Sequence, residues 1–477
     1  MLKNIIKNTT IYIVTACVGQ AVMSLFWLAL AWWLSPSEIG IYSLAMVVIN
    51  FFSIACVFSL NSAIGRYYYS KESVPAVFTN AFVLFSGFTV LVLLIFVSSI
   101  NLLLSFMPGL SGIMPRHILL FSSAIILSSA ATICFAHYVT LKKSFIYAVL
   151  NFCQTVIFCL FSILLVKMGF GVVSLLYGLS ASYLAIIIYF FVKEKDIFNL
   201  ETLSQKTMRV LLSFASPLLF SSIFGMVSYY IAQIFLGKYA NLSVLGVYSF
   251  FLFFALQVNG FQASFNRAWT PEIFSNIQND GNSGQSKKNV EFMVFLFCFF
   301  YLLGLLLFSI MGKLSLFNMF LKPEYVSSLN ILYVLLMAPV FSAIFTIVSP
   351  LIYHPGKSKY VIFSSIIITV LNFIVSAVLT RYFYINGAVI SFLATSMLST
   401  LLNLLIFRKI SSIHKNIIIF TIFLILAMGL SCWALLSNSH FLLFLAIIIG
   451  AIIFSAWLGK IPARSKMILE NYVFKKL

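Results

Sequence analysis

Ile39-Gly40-Ile41-Tyr42-Ser43 opens the second long apolar run of the chain, and Leu245-Gly246-Val247-Tyr248-Ser249 repeats it 206 residues later. Two further pairs keep the same order. Tyr138 with Lys142 recurs as Tyr353 with Lys357 at a spacing of 215, and Gly171 recurs as Gly387 at a spacing of 216. A polar insertion at 276–289 accounts for the drift. Each copy holds six apolar runs. An even number returns the chain to the side it started from, so the copies have the same orientation and are related by an axis along the membrane normal.

The runs themselves lie at 9–34, 39–60, 76–104, 118–139, 144–166, 171–192, 210–236, 243–262, 290–311, 329–353, 360–380, 386–407, 417–436 and 441–458. Each is too long for a membrane β-strand and does not alternate, so each predicts a helix. The expected fold is an all-α polytopic membrane protein with about 14 transmembrane helices. It comprises a six-helix lobe (1–192), a cytoplasmic connector (193–209), a second six-helix lobe (210–407), and two added helices with a basic tail (408–477). Composition agrees: 62% of residues are hydrophobic, 8% are charged and mean hydropathy is +1.10.

Charge placement sets the orientation. With a cytoplasmic N-terminus, the inner gaps and tails hold 23 Lys and Arg residues and the outer gaps hold 6. This is the asymmetry of a multi-pass membrane protein with both termini inside. The net charge of +19 is spread over many short segments, which fits anchoring to anionic lipid better than nucleic-acid binding. Ile197, Phe198, Leu200, Leu203 and Met208 lie among charges in the connector and predict an amphipathic surface helix. The seven cysteines fall within apolar runs without a CxxC, so they read as buried hydrophobes; no metal site or cofactor is expected. Cys17 follows a lipoprotein-like box, but the apolar run continues past it, which predicts an uncleaved first helix.

Two parallel lobes around a midplane cleft suit a transporter. None of the ten acidic residues lies in mid-span, which weighs against a simple proton- or sodium-relay antiporter. Few acid, base or nucleophile groups can converge, and no GxSxG, HExxH or P-loop occurs, so the chain is not expected to be an enzyme. Candidate cleft residues follow from their chemistry. Arg66 ends span two and Arg267 ends span eight, each beside aromatics; in the repeat register Arg267 falls opposite Asn61. An arginine fork suits a phosphate, while an ordinary interface anchor is the competing reading. Gln20, Asn50, Gln233, Gln257, Asn259 and Gln262 are amides of spans one, two, seven and eight. They either line a polar cleft for sugar hydroxyls or bond helix to helix. His137 and His354 end spans four and ten in matching places, where solvated helix ends are expected.

The stretch from Trp33 through Ser35-Pro36-Ser37-Glu38-Ile39-Gly40-Ile41-Tyr42-Ser43, continued by Ser62-Ala63-Ile64-Gly65-Arg66-Tyr67, resembles the polysaccharide transporter family. That family holds O-antigen and capsule-repeat flippases within the multidrug/oligosaccharidyl-lipid/polysaccharide exporter superfamily. The resemblance implies alternating access in a bacterial inner membrane. It also implies a cationic cavity for an undecaprenyl-diphosphate-linked oligosaccharide, contact with membrane lipids, and polysaccharide polymerase and chain-length machinery as partners. Arg66 is the only arginine that the motif carries over. Fourteen spans, where many relatives have twelve, keep a lipid II flippase as an alternative beside a multidrug/cation antiporter.

Overall fold

Ser35 fixes where the second span begins. In the computed structural model its Oγ accepts from the Glu38 backbone N–H at 3.3 Å, and its own N–H donates to Glu38 Oε2 at 2.8 Å. This reciprocal cap, with Pro36 at the first helical position, satisfies amides that a helix start leaves open. The structure describes residues 2–68, 74–141, 143–257, 321–348 and 358–411, with a few isolated positions beyond. Every regular element among them is a helix, as a bilayer demands of a chain that must satisfy its own backbone. Among the described residues, eight helices are long and apolar enough to cross a membrane, and Cys17–Trp33 and Leu242–Gln257 are shorter apolar ones.

The elements are α1 (Leu2–Trp33), α2 (Pro36–Val57), α3 (Leu60–Tyr67), α4 (Val74–Ser98), α5 (Ile100–Phe106), α6 (Ile118–Thr140), α7 (Ser144–Lys167), α8 (Val173–Lys193) and α9 (Gln205–Tyr239). They are followed by α10 (Leu242–Gln257), α11 (Leu329–Val348) and α12 (Ser358–Ser411). The chain packs as two compact units: Met1–Phe265 with Ser358–Thr395, and Asn266–Lys357 with Ser396–Leu477. In the second unit, Thr400 Oγ1 donates to the Phe341 carbonyl at 2.8 Å and Tyr301 donates to the Leu336 carbonyl at 2.6 Å, tying both residues to α11.

Two expected spans are broken. The second divides into α2 and α3 at Phe58 and Ser59, whose φ values of 49° and 55° are left-handed. Neither residue is a glycine, so the pair stores strain of about 1–2 kcal/mol per residue. The third divides at Ser99 into α4 and α5. The expected spans at 360–380 and 386–407 are two helices, together labelled α12, that meet at a kink at Tyr384 (φ 47°, ψ −121°).

The connector departs from expectation. It is not an amphipathic α-helix: Lys195–Ile197 and Leu200–Thr202 are single 3₁₀ turns, and α9 starts only at Gln205. Two buried polar side chains of α4 decide this. Thr79 Oγ1 donates to the Ile197 carbonyl at 3.2 Å and accepts from the Asn199 N–H at 3.2 Å. Asn80 donates to the Thr202 carbonyl at 2.9 Å and accepts from the Ser204 N–H at 2.9 Å. These bonds hold an extended backbone against α4 and outcompete the helix that the apolar spacing would allow.

Candidate substrate cleft

Gly40 and Gly246, the glycines of the repeated motif, face each other. A Cβ on Gly40 would lie 3.1 Å from the Gly246 nitrogen and would run into the Leu242 carbonyl. A Cβ on Gly246 would lie 3.0 Å from the Gly40 nitrogen and would run into the Pro36 carbonyl. Pro36 stands four residues before Gly40, as Leu242 stands four before Gly246. The contact is therefore self-complementary, the form a local two-fold axis generates. It lets the first turns of α2 and α10 touch backbone to backbone.

From this crossing α2 and α3 run antiparallel to α9 in a steady register. Leu44 Cδ2 would be 3.2 Å from a Cβ on Gly237, and Asn50 Nδ2 donates to the Tyr230 hydroxyl at 3.1 Å. Ser59 and Ser222 hydroxyls meet at 3.4 Å, and the Tyr67 and Phe214 rings pack edge to face at 5.9 Å. Next to the glycine crossing, Trp27 of α1 stacks on Phe253 of α10 at 4.2 Å, with Tyr42 tilted against Trp27 at 5.7 Å. Beyond this aromatic layer, toward α3, stand Asn50, Tyr183 and Tyr230, each half-buried.

The predicted site residues separate into groups. Arg66 is exposed at the end of α3, with Cζ 4.5 Å from the Phe214 ring centre and 5.7 Å from that of Tyr67. Asn50 bonds to Tyr230, and buried Gln233 donates to Ser249 Oγ at 3.4 Å. Gln20, Asn61 and Gln257 are half-buried on α1, α3 and α10, and Gln262 is buried. Asn259 and Arg267 lie outside the described residues. Among the described residues no group of three His, Cys, Asp or Glu could hold a metal.

A family model described as "Polysaccharide biosynthesis protein" matches residues 29–293. The chain belongs to this family. A search of curated proteins finds no match. Among solved structures the chain is similar to "Lipid II flippase MurJ, inward closed conformation", at 15% identity and TM-score 0.68, covering 94% of this chain and 98% of that one. It is also similar to the outward-facing form of a multidrug resistance MATE family transporter of the MOP superfamily, at 15% identity and TM-score 0.58, covering 85% and 96%. At such identity the likeness is one of fold. This member of the polysaccharide biosynthesis family is thus an all-α, multi-pass membrane protein built like those transporters.

Within this family member, sequence reasoning overlooked Tyr230 and Phe214, which meet Asn50 and Arg66 only through tertiary packing, and the nearby Tyr183 and Gln154. His137 is a correction: it is not a solvated helix end but 1% exposed. Phe78, Tyr138, Phe190 and Tyr68 ring it at centroid distances of 5.4, 5.4, 5.5 and 6.1 Å. Glu194 Oε2 is 3.5 Å from its Nε2, and Lys143 pairs with the other Glu194 oxygen at 3.0 Å. The cage ties the end of α6 to α3, α4 and α8. The cysteines are mixed: Cys56, Cys134, Cys159 and Cys298 are buried as expected, whereas Cys153 is exposed on α7.

Proposed function

We propose that this chain is a flippase for an undecaprenyl-diphosphate-linked oligosaccharide repeat unit of O-antigen or capsule type. It moves the unit from the cytoplasmic to the periplasmic leaflet of the bacterial inner membrane by alternating access, with both termini cytoplasmic. One observation carries the reading: a polysaccharide biosynthesis family model matches a chain whose fold is that of a lipid flippase. In this scheme the Gly40–Gly246 crossing lies on the periplasmic side. Arg66, with Arg267 and Asn61, receives the diphosphate at the cytoplasmic mouth. Gln20, Asn50, Gln233, Gln257, Asn259 and Gln262 serve the cleft between. Membrane lipids surround the bundle, and the polymerase and chain-length machinery receive the product.

The missing mid-span carboxylate favours drive by membrane potential. Two phosphate charges crossing 100 mV toward the positive side yield at most about 4.6 kcal/mol. Deleting the gene is expected to abolish surface glycan and to leave the lipid-linked repeat unit facing the cytoplasm. Unchanged surface glycan in the deletion strain would overturn the reading. A second reading, lipid II transport, draws on the 98% coverage of the lipid II flippase structure. Rescue of a strain depleted of its own lipid II flippase would favour it.

A further inference from the structure

Asn50 has a fixed orientation. Its Nδ2 donates to the Met46 carbonyl at 2.8 Å, and a carbonyl can only accept, so the NH₂ must face that way. The same NH₂ donates its second hydrogen to the Tyr230 hydroxyl at 3.1 Å. Both amide hydrogens are then used, and Asn50 Oδ1 is left to accept. The Tyr230 oxygen is engaged by Asn50, so its own hydrogen points elsewhere and is left to donate. An acceptor and a donor thus stand side by side on α2 and α9. Both residues keep part of their surface accessible.

A second pair of polar side chains stands near them: Gln154 of α7 is a neighbour of Tyr183 of α8, and both are half-buried. Tyr42, Tyr183 and Tyr230 lie within electrostatic reach of one another. These residues come from α2, α7, α8 and α9, and Asn50, Gln154, Tyr183 and Tyr230 are each only half-buried. Trp27 and Tyr42, 3% and 4% exposed, pack against each other on the glycine side of these groups. No Asp, Glu, Lys or Arg occurs at 39–65, 145–166, 173–192 or 210–237, the stretches that carry these groups.

We infer that Asn50, Tyr230, Gln154 and Tyr183 form a subsite that reads hydroxyls of an uncharged sugar ring. This inference rests on the flippase reading above and names the part of the substrate held there. A hydroxyl accepts from Tyr230 and donates to Asn50 Oδ1, and the Tyr183–Gln154 pair takes a second polar group of the same ring. An ionised sugar would be left without a counter-charge in a low-dielectric interior, so the subsite selects neutral rings. It also lies away from Arg66, as the two ends of one lipid-linked saccharide require.

The test uses the full chain in neutral phospholipid nanodiscs and three probes: undecaprenyl diphosphate, the same lipid bearing a neutral hexose, and the same lipid bearing a hexuronate. Wild type is expected to prefer the hexose lipid over the other two. Tyr230→Phe and Tyr183→Phe each remove one hydroxyl and keep the ring. Each is expected to reduce that preference about five- to tenfold, the effect of one lost hydrogen bond. Binding of bare undecaprenyl diphosphate should stay unchanged, which also reports that the variants are folded. Equal binding of hexose and bare lipid by wild type, or a preference untouched in both Phe variants, would overturn the subsite. Equal binding of hexuronate and hexose would overturn its neutrality. Failure of wild type to bind any of the three lipids would instead overturn the flippase reading.

Discussion

The contact of α2 and α3 with their partner helices is built differently at its two ends. At one end Gly40 and Gly246 bring two backbones into contact, and nothing there can give without moving a whole helix. At the other, the Arg66 guanidinium rests 4.5 Å above Phe214, on a short helix that begins after two left-handed residues. One end is rigid by geometry; the other is held by long side chains and follows a strained turn. The difference locates the easy motion. On the proposed alternating-access reading, α3 is expected to part from α9 first, with the glycine crossing as the fulcrum.

The largest effect should come from breaking the fulcrum. Gly246→Leu puts a side chain where the Pro36 carbonyl stands, and overpacking against backbone has no soft way out. A loss of about 3 kcal/mol or more is expected, read as a lowered unfolding temperature in detergent and a poor yield. An unfolding temperature equal to wild type would remove the rigid end from the comparison. Asn80→Ala comes next, because it frees the Thr202 carbonyl and the Ser204 N–H that the buried carboxamide holds. About 2 kcal/mol should be lost, and trypsin should cut faster at Lys195 and Lys206. Cleavage as slow as in wild type would mean that α4 does not restrain the connector.

Ser59→Gly sharpens the other end. Glycine accepts φ 55° without a Cβ penalty, so relief of strain should exceed the added chain entropy by about 0.5–1 kcal/mol. A raised unfolding temperature is expected, and Ser59→Ala should not reproduce it. The smallest change in stability belongs to Arg66→Ala, which removes a cation over an aromatic face worth about 0.5–1 kcal/mol. Surface glycan should nonetheless be lost at normal protein level, with only partial rescue by Arg66→Lys, a point charge without the fork. Full surface glycan in the Ala variant would leave Arg66 as an anchor on Phe214.

Much of the fold was legible because it is written locally. Long apolar runs and the repeated glycine each need only one dimension to be read, and the glycines proved to meet across a local axis. The connector was misread because its apolar spacing suits a helix, while the deciding groups, Thr79 and Asn80, lie more than a hundred residues away in sequence. The break after Val57 carries no Gly, Pro or Asn to announce it. His137 was misjudged because its cage is assembled from α3, α4, α6 and α8. For the site, Asn50 and Arg66 could be named as chemistry-bearing residues. Their partners Tyr230 and Phe214 could not, since an antiparallel register between α2, α3 and α9 exists only after folding.

The seam between α9 and α12 carries a mechanical consequence. Thr369 donates to the Phe224 carbonyl at 3.0 Å, and Asn372 donates to the Ser228 carbonyl and hydroxyl at 2.6 and 2.8 Å. Ser376 donates to Asn372 Oδ1 at 2.9 Å and locks the amide that makes those bonds. Lipid offers no substitute hydrogen bonds, so a slide of one residue would strand the Asn372 amide, while Thr369 would fall back on the Ser365 carbonyl of its own helix, 2.8 Å away. The next stop at which these donors meet equivalent carbonyls is a full helical turn away, about 5.4 Å. The seam therefore works as a detent: α9 and the first half of α12 click or stay, and between clicks they travel as a single rod.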